Sequence, residues 1–233
     1  MANVNDNWIN LVFCIDSSGS MYPSTEDVIG GFKRIIDEHK KQDGKTTVSL
    51  FTFNDDVKQV YLGCDVNDVP ELKYDAYGLT RLNDGVCTAI DRVGQWLYEK
   101  DCKGEEMPRT TIFVLMTDGM ENSSKEFTLQ QAQDKIKTQT DVYSWSFIYE
   151  GCDITTSKTA DELGFKYKSF GSRGKFSKNF ELINCATSSY RKAYSVKADV
   201  SEALNAMDNC INDTSFLNTA EYEKELGCKI KND

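Results

Sequence analysis

Two aspartates in this sequence follow apolar runs of strand length, and small polar residues come directly after each. The first run, WINLVFCI (8–15), leads into Asp16 and the segment DSSGSM. The second run, TTIFVLMT (110–117), leads into Asp118 and the segment DGMEN. Continuous apolar runs are typical of strands buried on both faces of a parallel sheet. Because ligands bind beyond the carboxyl ends of such strands, we expect both aspartates to lie in one crevice.

The side chains around these aspartates are oxygen donors that suit a divalent cation. Two neighbouring carboxylates repel each other unless a proton or a cation lies between them. Ser18 and Ser20 alternate with Asp16 in the pattern D-x-S-x-S, so all three side chains can converge as the turn curls. Thr80, in the glycine-containing loop YGLT before a helical segment, supplies a further hydroxyl. An all-oxygen set that includes Asp118 favours Mg²⁺ or Mn²⁺.

Strand and helix patterns alternate along most of the chain. Strands are predicted at 8–15, 46–53, 57–62, 110–117, 142–149 and 166–170. Helices are predicted over STEDVIGGFKRIIDEHKK and at 83–100, 128–139, 155–164 and 179–194. The two strands that flank the residues NDD are typical of a hairpin. This order predicts an α/β fold, with a doubly wound, mostly parallel, Rossmann-like sheet and one antiparallel edge strand.

The C-terminal part of the chain has a different pattern. No strand signal follows residue 170, and helical patterns continue at 199–211 and 219–227. We therefore predict an α/β domain over residues 1–195 and a short helical C-terminal extension over 196–233.

Other polar residues near these motifs are predicted to have structural roles. Ser24 and Asp27 match a capping box at the start of the first helix. The acids of NDD (54–56) are expected to give the hairpin turn its polarity. For Glu121 and Asn122, just after Asp118, the alternatives are tuning the site and capping the next segment, and capping is favoured.

The motifs and their order resemble the von Willebrand factor A domain family and its metal-ion-dependent adhesion site. The matching residues are DSSGS with Asp16, Ser18 and Ser20, GLT with Thr80, and TDG with Asp118. Either DxSxS or TDG alone occurs by chance, whereas all these positions in order at strand ends and loops are specific. The resemblance covers residues 1–195, and GLT replaces the commoner double glycine before the threonine.

The resemblance implies a role for each matching residue. Ser18 and Ser20 would bind the metal directly, and Thr80 would bind it directly or through water. Asp16 and Asp118 would act mainly through water or as hydrogen-bond acceptors for the groups that bind the metal. In the family, the metal keeps an open position that an acidic side chain from a partner protein fills. The implied function is metal-dependent protein–protein interaction without catalysis.

The resemblance also carries expectations about partners and motion. Intracellular relatives often work beside an ATPase or within an assembly complex, and a partner of this kind is expected here. In the family, a change of metal coordination can be coupled to movement of the last helix, which corresponds to residues 179–194.

Other interpretations of the same residues, both structural and enzymatic, remain as alternatives. The serines could simply cap the first helix. A serine hydrolase needs a base, and the single histidine, His39, is expected at the surface in the last turn of that helix. A haloacid dehalogenase has a second acid where this chain has Ser18, and no GK[ST] of a P-loop is present. The main alternative is a metal-dependent hydrolase or phosphotransferase using Asp16 and Asp118; a scaffold with a purely structural metal is a third.

Composition disfavours several classes of protein, including those that bind nucleic acid or span a membrane. The 233 residues include 39% hydrophobic and 27% charged residues and carry a net charge of −10. This acidity disfavours nucleic-acid binding, which needs clustered Lys and Arg. No signal peptide or apolar run of membrane-spanning length is found, so a cytoplasmic protein without a membrane partner is expected. The eight cysteines form no CxxC motif and are predicted to be reduced.

Overall fold

The computed structural model describes residues 3–119, 121–151 and 156–170, together with residues 183, 184, 187, 188 and 191, which are helical. Within these ranges the strands are β1 (Asn3–Asp16), β2 (Lys45–Phe53), β3 (Val57–Asp65), β4 (Glu106–Thr117), β5 (Ser146–Gly151) and β6 (Tyr167–Phe170). The α-helices are α1 (Thr25–Lys40), α2 (Leu82–Cys102), α3 (Leu129–Tyr143) and α4 (Ser157–Leu163). Short 3-10 helices cover Gly19–Ser24 and Val66–Asp68.

The chain divides into two compact units, Met1–Asn184 and Cys185–Asp233. All of the strands and helices named above belong to the first unit. The predicted domain boundary at residue 195 and the predicted helices at 199–211 and 219–227 lie outside the described residues. Of the predicted helix at 179–194, only the five helical residues named above are described.

The six strands form one sheet in the order β3-β2-β1-β4-β5-β6. β2 and β3 pair antiparallel, and every other neighbouring pair is parallel. This confirms the predicted doubly wound sheet with an antiparallel edge strand. β1 pairs with β2 on one side and β4 on the other, so the chain winds outward in both directions from the middle of the sheet. The crevice at this reversal, beyond the carboxyl ends of β1 and β4, is where ligands bind in open α/β sheets.

Alternating side chains of β1 contact helices on opposite faces of the sheet. On one face the Phe13 ring packs edge-on against Phe32 of α1, with 5.1 Å between ring centroids. On the other face Val12 and Cys14 belong to a core shared with Val86 of α2. Each helix buries apolar side chains that repeat at helical spacing: Val28, Phe32, Ile35 and Ile36 in α1, and Val86, Ile90, Val93 and Leu97 in α2. Both faces of β1 are therefore covered, which explains its continuous apolar sequence.

Three local predictions were wrong. The strand predicted at 142–149 starts only at 146, because α3 continues through Tyr143 and is capped by Ser144, which has a left-handed φ of 54°. Ser24 makes no capping hydrogen bond, because a 3-10 helix leads directly into α1. His39 is buried with 1% exposure rather than lying at the surface, since it follows Ile35 by four residues on the buried face of α1.

Two predictions from composition can be checked within the described residues. No helix in that part of the chain is both long and apolar enough to cross a bilayer. The cysteines at positions 14, 64, 87 and 102 are free thiols, as predicted.

Close packing of α2 on β2 gives a test of the fold. A Cβ atom on Gly85 would lie 2.7 Å from ring atoms of Phe53, whereas one on Gly30 of α1 would meet nothing within 4 Å. We expect Gly85→Ala to lower the free energy of unfolding by about 1–3 kcal/mol through overpacking. Gly30→Ala should raise it by about 0.5–1 kcal/mol, because alanine is the better helix former. Urea denaturation measures both, and equal effects at the two positions would contradict the described packing.

Candidate metal centre

The carboxyl ends of β1 and β4 lie side by side and bring the two predicted aspartates together. Ile15 pairs with Met116, which sets Asp16 beside Thr117 and one residue from Asp118. The Thr117 hydroxyl donates a hydrogen bond to Asp16 Oδ2 at 2.6 Å. The register of one strand pair therefore fixes the distance between the two acidic positions.

The hydroxyls predicted from D-x-S-x-S connect the two aspartates. The Ser18 amide donates to Asp16 Oδ1 at 2.8 Å, which curls the loop back over the strand end. Ser18 Oγ and Ser20 Oγ lie 3.1 Å apart, and Ser20 Oγ donates to Asp118 Oδ1 at 2.7 Å. Four of the five predicted residues thus form one continuous hydrogen-bonded chain.

Thr80 completes the predicted set. A Cβ atom placed on Gly119 would lie 3.8 Å from both Thr80 Oγ1 and Ser20 Oγ, so these two hydroxyls approach the same point on the loop after β4. Thr80 is buried, whereas Ser20 is exposed and Asp118 is half-buried. The structure therefore brings together all five residues selected from the sequence, with one side open to solvent.

Asp16 is fully buried, so the negative charge of its carboxylate is costly. Burial is the largest effect and raises the pKa of its carboxyl from 3.8 to about 6. Hydrogen bonds from Thr117 and Ser18 oppose the rise, and the nearby charge of Asp118 adds to it. At neutral pH the site therefore holds a buried negative charge beside a second carboxylate. Such a site favours a cation.

The loop that carries Thr80 is fastened to the loop after β1 and to the β2–β3 turn. The Gly19 amide donates to the Gly78 carbonyl at 3.1 Å, and Asp55 Oδ1 accepts the Leu79 amide at 3.0 Å. Gly78 has a φ of 77°, and a Cβ atom there would lie 2.2 Å from Asp55 Oδ2. The glycine of GLT is therefore required by its backbone angle and by the close carboxylate. Asp55, expected only to make the hairpin polar, positions the threonine loop.

Asn122 holds Thr80 from the other side, whereas the sequence favours a capping role over one at the site. Its side-chain Oδ1 accepts a hydrogen bond from the Thr80 backbone amide at 2.9 Å, and its backbone amide donates one to the Thr80 carbonyl at 3.2 Å. Glu121 does cap its segment, because its carboxylate accepts the amides of Ser123 and Ser124. It also accepts the amide of Asn83 in the first turn of α2, at 2.9 Å.

Asp84 ties the loop after β4 to α2. Its buried carboxylate accepts three backbone amides, from Lys125 at 2.9 Å, Glu126 at 3.0 Å and Phe127 at 2.9 Å. Together with Glu121, it makes the start of α2 and the loop after β4 one connected unit. The structure thus adds supporting residues that sequence patterns did not reveal.

The chemistry available at the centre comes mainly from hydroxyls. Among the described residues no group of three or more His, Cys, Asp and Glu side chains is placed to hold a metal ion. A cation at the predicted position would therefore depend on two carboxylates together with Ser18, Ser20 and Thr80. Their oxygens are the hard ligands that Mg²⁺ and Mn²⁺ accept. His39, the single histidine, lies in the last turn of α1, whereas the centre lies toward the start of that helix.

A family model described as "VWA: von Willebrand factor type A domain" matches residues 10–223 of the chain. This range contains every residue of the candidate centre. A comparison with curated proteins finds no match.

Solved structures similar to this chain include three at low sequence identity. Manganese-loaded TRAP protein from Plasmodium vivax is 19% identical with a TM-score of 0.50, and the match covers 76% of this chain and 72% of that one. Proximal thread matrix protein 1 from the mussel byssus is 18% identical with a TM-score of 0.49, covering 75% and 44%. A von Willebrand factor type A protein from Catenulispora acidiphila is 15% identical with a TM-score of 0.48, covering 76% and 41%. The chain thus spans less than half the length of the last two proteins, and at these identities the likeness concerns the fold.

Two buried aspartates of this region should respond oppositely to the same substitution. In EDTA at pH 7, Asp16→Asn should raise the free energy of unfolding by about 1–3 kcal/mol, because it removes a buried charge whose pKa is raised. Asp84→Asn should lower it by about 1–3 kcal/mol, because an amide nitrogen would face backbone amides that need an acceptor. Chemical denaturation with chelator present measures both. Destabilisation by both substitutions would contradict the electrostatic description of Asp16.

Proposed function

The chain belongs to the von Willebrand factor type A domain family, and we propose that it is a metal-dependent protein-interaction module. The observation that carries the proposal is the convergence of the five oxygen-bearing side chains at the ends of β1 and β4. In this proposal Mg²⁺ or Mn²⁺ is held by Asp16, Ser18, Ser20, Thr80 and Asp118. An Asp or Glu of a partner protein completes the coordination.

The arrangement of burial suits binding from one direction. Asp16 lies at the back of the centre, fully buried, and keeps its carboxylate oriented through the Thr117 hydroxyl and the Ser18 amide. Ser20 is exposed at the front, beside the half-buried Asp118. When bound, the cation supplies a positive centre with an open position for an acidic ligand. Asp16 and Asp118 balance its charge from the protein side.

The fixed loops support recognition of a partner. Asn122 and Asp55 hold the backbone around Thr80. A hydrogen bond between Gly19 and Gly78 joins the loop after β1 to the loop that carries Thr80. Groups that are already ordered before association lose little conformational entropy when a partner binds. A charge-assisted contact at the centre then fixes the register of the partner, while the surrounding loops provide specificity.

A role without catalysis is part of the proposal. The hydroxyls of Ser18 and Ser20 hydrogen-bond to each other and to Asp118, and no histidine lies among the residues of the centre. The alternative, a hydrolase or phosphotransferase that uses Asp16 and Asp118, is therefore treated below as an outcome of the tests. We further propose a cytoplasmic location and an ATPase or assembly complex as the kind of partner, with neither nucleic acid nor membrane as a ligand.

The affinity for a divalent metal should depend on Asp16 and Ser18 in the loop after β1. Isothermal titration with Mg²⁺ and Mn²⁺ should show affinity reduced by about tenfold or more in Asp16→Ala and Ser18→Ala. Mn²⁺ is included because the similar TRAP protein is described as manganese-loaded.

Ser17→Ala is the matched control for this titration. The Ser17 hydroxyl donates to the Phe53 carbonyl at 3.1 Å, away from the centre, so its loss should leave the metal affinity unchanged. Equal affinity in all four proteins would contradict the site assignment.

Partner binding should require both the metal and the centre. The immobilised chain should recover a partner from lysate of its source in Mg²⁺ or Mn²⁺, and this recovery should be lost in EDTA and in Asp16→Ala. Asp101→Ala, an exposed acid at the other end of α2, should behave as the wild type.

Two results would argue against the interaction module. Recovery of the same partners by Asp16→Ala would show that binding bypasses the centre. Phosphatase turnover that disappears in Asp16→Ala would favour the enzymatic alternative.

A further inference from the structure

A cleft of about 420 Å³ opens beside the candidate metal centre. Its lining includes Ser17, which lies between Asp16 and Ser18, and the ring of Tyr77 on the loop that leads to Thr80. The Tyr77 amide donates to the Ser17 carbonyl at 2.9 Å, so the cleft and the centre share the same two loops. A ligand bound at the centre therefore has this cleft next to it.

The floor of the cleft is held in place by hydrogen bonds to the protein interior. Tyr74, which lines the cleft and is buried, donates its hydroxyl to the Asp16 carbonyl. The Ser17 amide donates to the Phe53 carbonyl at 2.7 Å. The cleft is thus pre-formed, and its volume falls within the usual range for ligand pockets.

Two aspartates and two lysines line the cleft, so its lining has no net charge, and none of the four forms an ion pair in the described part of the chain. Asp56 already accepts the Val57 amide at 2.9 Å. Two exposed ammonium groups, those of Lys58 and Lys73, therefore share the cleft with Asp75.

The neutral lining of the cleft contrasts with the acidity of the whole chain. A net charge of −10 repels an acidic partner at long range. Lysines next to the centre would reduce that repulsion where an acidic ligand must dock.

We propose that the cleft binds the stretch of the partner next to its metal-binding carboxylate, and that Lys58 and Lys73 recognise a second acidic side chain in that stretch. Tyr77, with 61% of its surface exposed, contributes an apolar contact of the kind enriched at interfaces. The inference rests on the proposed function, and it adds a ligand class: a segment with two acidic residues rather than one.

The test uses a display library of peptides, each with one fixed aspartate and random residues on both sides. Peptides are bound to the immobilised full chain in Mn²⁺ and eluted with EDTA. We expect the eluted peptides to be enriched in a second Asp or Glu at a preferred distance from the fixed aspartate. An enriched peptide is then titrated against Lys58→Gln/Lys73→Gln and against Lys40→Gln/Lys103→Gln. The second pair lies at the C-terminal ends of α1 and α2 and removes the same charge away from the centre.

The cleft double variant should bind the enriched peptide roughly 3- to 10-fold more weakly than the wild type, as expected for loss of two exposed ion pairs. The control double variant should retain wild-type affinity. Replacing the second acid of the peptide by its amide should remove the difference between wild type and cleft variant. Unchanged Mn²⁺ affinity in the cleft variant, measured by calorimetry, would show that the centre is intact.

The outcomes separate this inference from the proposed function. EDTA-eluted peptides without a second acid, or equal affinity of wild type and cleft variant, would overturn the role of the cleft while leaving the centre supported. A complete lack of EDTA-eluted peptides would contradict the proposed function, and this inference with it.

Discussion

Parallel pairing between β1 and β4 is the constraint on which the candidate centre depends. It sets Asp16 beside Thr117 and leaves Asp118 one residue further on, so two carboxylates meet at the reversal of the sheet. The strands can take these positions only because helices cover both faces and bury β1 from Trp8 onward. That same burial raises the pKa of Asp16 and makes its charge costly. Burial of β1 therefore both stabilises the sheet and makes the Asp16 carboxylate require a counter-charge.

Around this fixed pair, the structure uses side chain to backbone hydrogen bonds rather than apolar packing. Asp55, Asn122 and Asp84 each bind amides of a loop that is distant in sequence. Loops held in this way have ordered backbones although they lie at the surface, where few apolar contacts are available. The loops around the candidate centre therefore combine exposed side chains with a backbone that hydrogen bonds hold from several directions.

Sequence patterns were sufficient for the doubly wound, mostly parallel sheet and its antiparallel edge strand, and they placed Asp16 and Asp118 at the ends of two strands. Strand-terminal acids are easy to recognise because a continuous apolar run ends abruptly, as at Asp16. Asn122 was missed in its supporting role because a bond to the backbone of Thr80 leaves no periodic signal. His39 was misplaced because its position near a helix end was given more weight than its spacing of four residues from Ile35, which places it on the buried face of α1. The late start of β5 reflects Val142 and Tyr143, which suit a strand but complete α3 instead.

The bonds made by Asn122 have a consequence for how this surface can change over time. Both go to the main chain of residue 80, and neither involves the threonine hydroxyl. The two hydrogen bonds that hold this part of the loop therefore do not depend on which side chain occupies that position. A descendant could replace the threonine, and so alter or discard its ligand chemistry, without first having to rebuild the rim. At residue 80, the group that would bind the metal and the bonds that hold the main chain are thus encoded by different residues.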